Sequence, residues 1–91
     1  MIEADISMGN LYNGRSNIPI MAHPPNNTSD ISLEEFFNHI MAYNLDNSNK
    51  MKGVKLDFKS TDAFEKSLDI LDKMFGKVNK ILIILLVYNL F

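Results

Sequence analysis

Ninety-one residues with 46% hydrophobic content describe one small globular piece, and nine basic against eleven acidic side chains exclude a surface built for polyanions such as nucleic acids. Even a 60-residue domain hides only about 60% of its unfolded surface, so a chain of this length has little stability to spare. With no cysteine there is no disulfide and no thiolate zinc site.

The first element in chain order is a strand over residues 2–7. Ile2, Ala4 and Ile6 alternate with Glu3, Asp5 and Ser7, and successive strand side chains point to opposite faces, so both carboxylates share one face. The opening residues have neither the basic nor the apolar region of a secretory leader, which predicts a cytoplasmic start for the chain as written. Gly9, Asn10, Asn13, Gly14 and Asn17 then read as a loop, because these residues tolerate the positive φ of turns. Ile18 to Ala22 extends again as a hairpin-like return that ends at His23. Pro24 and Pro25 have no amide hydrogen to donate and prevent its continuation as a ladder strand.

Residues 26–31 form a polar loop carrying two overlapping sequons, Asn26-Asn27-Thr28 and Asn27-Thr28-Ser29, which suit an exposed loop of a secreted protein. Ser32-Leu33-Glu34-Glu35 has the pattern of a capping box and predicts a helix over 33–44. Leu33, Phe36, Phe37, Ile40 and Met41 make its apolar stripe, with Glu34, Asn38 and His39 outside it. The turn-prone residues 44–52 close that helix. Gly53 to Lys59 alternates again, with Val54, Leu56 and Phe58 on one face and Lys55, Asp57 and Lys59 on the other.

Ser60 or Thr61 caps a second helix, and Asp62 sits in its first turn, where a negative charge favours the helix dipole. Phe64, Leu68, Leu71 and Phe75 form its stripe, Ile70 and Met74 flank it, and Gly76 is positioned to terminate it. The apolar run from Ile81 to Val87 is far shorter than the roughly 20 residues of a membrane-spanning helix and reads as a buried or misplaced strand. This order of elements predicts an α/β chain with a parallel sheet and its helices on one face.

A crossover through the first helix would set strands 2–7 and 53–59 side by side with their charged faces coincident. Glu3, Asp5 and Asp57 then gather beside Lys55 and Lys59, with His23 at the end of the return. Three carboxylates repel unless lysines or a divalent cation compensate, and hard oxygen ligands suit Mg²⁺ or Ca²⁺. A histidine there could act as general acid or base near neutral pH. The same residues also describe a solvated face in which the lysines neutralise the acids and His23 serves the turn.

Five segments carry a family resemblance. They are Ile2-Glu3-Ala4-Asp5-Ile6; Pro19-Ile20-Met21-Ala22-His23-Pro24-Pro25; Ser29-Asp30 ahead of Leu33-Glu34-Glu35; Gly53-Val54-Lys55-Leu56-Asp57-Phe58-Lys59-Ser60; and Ser67-Leu68-Asp69-Ile70-Leu71. Together, in this order, they resemble the menorin family over residues 1 to about 80. The menorin domain is in turn similar to the glycerophosphodiester phosphodiesterases. Their phospholipase-C-like TIM barrels carry a Glu-x-Asp strand, a following strand ending in His-Asp and a later Glu-x-Lys strand.

Residue by residue, the resemblance implies that Glu3, Asp5 and Asp57 are metal ligands for Mg²⁺ or Ca²⁺, that His23 is the catalytic acid or base, and that Lys59 is a phosphate-facing cation. It implies either a metal-dependent phosphodiesterase barrel or an extracellular, adhesion-type recognition module, so the partner is a phosphodiester ligand or another protein. No nucleic acid and no transmembrane span are implied. A TIM barrel takes about 250 residues, so the resemblance further implies a truncated member. Residues 1–80 would be a partial menorin domain of two to three strand–helix units, and 81–91 an apolar tail outside the family. Such a partial barrel would be inactive alone, would hold no cation tightly and would leave sheet edges open.

Overall fold

The computed structural model describes residues 2–47, 49–50, 53–77 and 85–88. Five strands and two helices follow one another as β1 (Ile2–Leu11), β2 (Ile18–Met21), β3 (Thr28–Ser29), α1 (Leu33–Asp46), β4 (Val54–Phe58), α2 (Thr61–Lys77) and β5 (Leu85–Tyr88). The main sheet has the order β2-β1-β4-β5, and the short β3 pairs with the far end of β1. β1, β4 and β5 run parallel, while β2 returns antiparallel along the other side of β1. The fold is therefore mixed α/β, with a parallel core of strands and one antiparallel member. Of the apolar run at 81–87, Leu85 to Val87 belong to β5, and residues 81–84 lie outside the described residues.

The β1/β4 register positions everything that follows. Ile2 pairs with Val54, Glu3 with Lys55, Ala4 with Leu56, Asp5 with Asp57 and Ile6 with Phe58. Partners in register share a face of the sheet, so the apolar alternation of one strand reinforces that of the other. Val54, Leu56 and Phe58 are completely buried, as is Ile6. They join Leu33, Phe36, Phe37 and Ile40 of α1 and Ala63 and Leu71 of α2 in one hydrophobic cluster, which puts both helices on the same face of the sheet. Burying one such aliphatic or aromatic side chain contributes roughly 1.5–3 kcal/mol, so this face is where the fold gets its stability.

Helix α1 starts where the capping box predicts. The Ser32 hydroxyl accepts from the Glu35 amide at 3.1 Å, and the Glu35 carboxylate accepts from the Ser32 amide at 3.0 Å. That bond to the Ser32 backbone, followed by the hydroxyl contact, holds the Glu35 pKa below its ordinary value. At the other end the Asn47 side-chain amide donates to the Tyr43 carbonyl at 2.8 Å, covering one of the carbonyls that a helix terminus leaves unpaired.

Three expectations are corrected. Gly9, Asn10 and Leu11 do not open a loop but continue β1, because the Asn10 amide donates to the Asn27 carbonyl at 2.9 Å and Leu11 pairs with Ser29. Gly9 makes this approach feasible: a Cβ there would collide with the Asn27 carbonyl and the Ile20 side chain. On α2, Leu68 is not part of the packed stripe; it is 47% exposed. Among the α2 side chains described, 61–73, the buried positions are Ala63, Ser67 and Leu71, spaced by four residues, with Phe64 and Ile70 alongside; the side chains of Met74 and Phe75 lie outside the described ones. Small residues at the contact let the helix lie close to the sheet, and the Phe64 ring meets the Phe58 ring edge-on at 5.4 Å. The helix also runs through Gly76 to Lys77, so Gly76 does not terminate it.

Candidate functional site

On the face opposite the helices, the register brings two like charges together. Asp5 and Asp57 are direct neighbours on parallel strands, and one ammonium group lies against both. Lys59 Nζ is 2.7 Å from Asp57 Oδ2 and 3.4 Å from Asp5 Oδ1. The hydrogen bond that Lys59 donates to Asp57 dominates over partial desolvation and raises the Lys59 pKa above its ordinary value, with Asp5 adding to it. Lys59 can reach both acids because its amide donates to the Ile6 carbonyl at 2.9 Å, which continues the β1/β4 ladder one residue past β4.

The lysine leaves one acceptor without a donor. Asp57 Oδ1 is buried and has no hydrogen-bond partner among the described residues. An orphaned carboxylate oxygen in a half-dry position is costly unless something positive meets it. Glu3, two residues before Asp5 on the same face, is held by Lys55 at 3.6 Å and is 71% exposed. Among the described residues, no three His, Asp or Glu side chains converge closely enough to hold a metal ion. At two of the three positions the donor chemistry does fit a hard cation, because Asp5 and Asp57 lie side by side and one Asp57 oxygen is unspent.

His23 stands at the rim of this face. The return segment is tied to β1 by the Ala22 amide donating to the Asp5 carbonyl at 3.1 Å and by the Ser7 hydroxyl donating to the Ala22 carbonyl at 2.8 Å. His23 Nδ1 lies 2.6 Å from the Pro24 carbonyl, which can only accept, so this contact makes Nδ1 the donor and leaves Nε2 for proton transfer. His23 lines a depression of about 220 Å³ together with Glu3, Asp5 and Met21. On the other side of the turn that starts at His23, a depression of about 250 Å³ is lined by Lys59, Ser60, Ser7, Pro24 and Asn26. A third depression, between Arg15, Ile18, Lys66 and Ile70, shares no residue with either.

The structure thus places Asp5, Asp57 and Lys59 in contact, sets Glu3 and His23 around the depression beside Asp5, and keeps His23 exposed. Sequence reasoning assigned no role to Ser7, although the alternation already put it on the acidic face. It is 7% exposed, and its bond to the Ala22 carbonyl fixes the segment that carries His23.

An α/β sheet with acids and a lysine gathered on its open face, beside a histidine-tipped return, is the class of protein defined so far. The family model of the Menorin N-terminal domain matches residues 1–85. Protein FAM151B of Homo sapiens is 40% identical over 74 residues, which cover 81% of this chain and 24% of that protein. The chain belongs to the menorin family, and it spans under a quarter of the length of this curated relative. No solved structure matches it.

Proposed function

We propose that this chain supplies successive strands and helices of a phospholipase-C-like barrel whose charged inner face handles a phosphodiester. The observation that carries the reading is the pairing of Asp5 with Asp57 in register, with Lys59 across both and an Asp57 oxygen left without a donor among the described residues. Two acids placed side by side on neighbouring strands repel, and an arrangement that keeps them together suits a positively charged ligand better than it suits packing.

In this reading Asp5 and Asp57 hold a Mg²⁺ or Ca²⁺ ion, with Glu3 as the third carboxylate on the same face. The ion, when bound, supplies Lewis-acid polarisation of the phosphoryl oxygens. His23 works from the rim: its Nδ1 is fixed by the Pro24 carbonyl, and Nε2 is left to carry the proton delivered to the departing alcohol oxygen. Lys59 faces the phosphate from the depression that it lines with Ser60 and Asn26. The test is hydrolysis of a glycerophosphodiester by an intact menorin-family protein carrying these residues. Divalent-dependent turnover abolished by His23→Ala supports the reading; no turnover with any divalent ion overturns it.

A second reading is an extracellular recognition module. The exposure of every residue from His23 to Thr28, including both sequon asparagines, favours it. Loss of partner binding on changing residues 24–30, with Asp57→Ala harmless, would select this reading over hydrolysis.

A further inference from the structure

We propose that Lys59 is an exchangeable internal counter-ion: its ammonium holds Asp5 and Asp57 together while no divalent cation is bound, and gives way to one that binds. The proposal rests on the reading of Asp5 and Asp57 as cation ligands. A divalent ion held between the two strands would draw on the carboxylates of Asp5 and Asp57, and Lys59 Nζ already contacts both, at 2.7 Å from Asp57 Oδ2 and 3.4 Å from Asp5 Oδ1. Lysine and ion would therefore compete for the same two carboxylates.

Three features make exchange feasible. Lysine carries a compact charge on a flexible four-carbon stem, so the ammonium can leave by rotating its own side chain while the Lys59 amide stays on the Ile6 carbonyl. The depression of about 250 Å³ beside it, with Ser7, Asn26 and Ser60 among its lining, offers polar groups to the displaced ammonium. Finally, the lysine satisfies Asp57 incompletely, because Oδ1 remains buried without a donor among the described residues. A cation able to engage both oxygens of Asp57 completes what the ammonium leaves unfinished. Exchange also couples the two depressions: an anion that holds the displaced ammonium beside Ser60 strengthens divalent binding, and the reverse holds equally.

The test follows the lysine itself. An intact menorin-family protein carrying these residues is treated with an amine-acylating reagent with and without Mg²⁺ or Ca²⁺, at matched ionic strength, and acylation of each lysine is read by mass spectrometry. Acylation of Lys59 rises several-fold with the divalent ion, while that of Lys73, ion-paired to Glu34 at the helix surface, stays constant. By calorimetric titration, its Lys59→Met form binds the divalent ion about tenfold more tightly than the unaltered protein. If the ion binds but Lys59 acylation does not rise, the exchange is wrong and the cation site stands. If neither form binds a divalent ion, the cation-ligand reading fails and takes the exchange with it.

Discussion

The two faces of the β1/β4 pair have the same alternation and the same register, yet they are completed to different degrees. On one face Val54, Leu56 and Phe58 are fully buried and belong to one hydrophobic cluster with residues of both helices. On the other, Asp5, Asp57 and Lys59 form a cluster whose charges balance only in part and whose buried Asp57 Oδ1 has no donor among the described residues. A face that exists for folding tends to satisfy its polar groups, and the cation proposed above would complete the one that does not.

The largest effect tests the sealed face. Phe58→Ala leaves a cavity between the sheet and Phe64 and should cost about 3–5 kcal/mol in chemical denaturation. A cost near that of a surface change would mean that the helices do not close over the sheet. Gly9→Ala drives a methyl group into the Asn27 carbonyl, a backbone atom with little freedom to move, and should cost about 1–3 kcal/mol. Its mark is loss of hydrogen-exchange protection at the Asn10 amide, which donates to that carbonyl. Ser32→Ala removes the helix cap and should cost about 1 kcal/mol.

Titration separates the open face from the cap. The folded-state pKa of Lys59 is raised, so its stabilising contribution is complete below the unfolded lysine pKa and is lost as pH rises through the folded value. Lys59→Met should flatten the alkaline limb of the stability–pH curve. For Glu35 the folded pKa is lowered, so its contribution is present above the unfolded glutamate pKa and lost as pH falls through the folded value. Glu35→Gln should flatten the acid limb and leave the alkaline one alone. The smallest effect is expected from Leu68→Lys, within about 0.5 kcal/mol, because Leu68 lies outside the packed stripe of α2.

Much of this architecture is legible in the residues. The period-two alternation at 2–7 and 54–58 gives both strands and their faces, and Ser32 with Glu35 marks the start of α1. The pairing of the two strands follows from the helix between them. Other features are decided by tertiary contact. Gly9 and Asn10 carry loop chemistry but remain in β1 because residues 27–29 come alongside, which local sequence does not encode. On α2 the apolar pattern favours Leu68, but close approach to the sheet selects the smaller Ala63 and Ser67. The candidate site divides similarly: alternation gathers Glu3, Asp5, Asp57 and Lys59 on one face. Which acid each lysine takes, and the orphaned oxygen of Asp57, are matters of side-chain geometry.

The central proposal, that the open face is built for a cation, is tested most directly by thermal melting of an intact menorin-family protein carrying these residues and of its Asp57→Asn form in Mg²⁺ or Ca²⁺ against a monovalent salt of equal ionic strength. The account predicts that the divalent ion raises the melting temperature of the unaltered protein and has no such effect on Asp57→Asn. An equal response of both forms, or none in either, would contradict it.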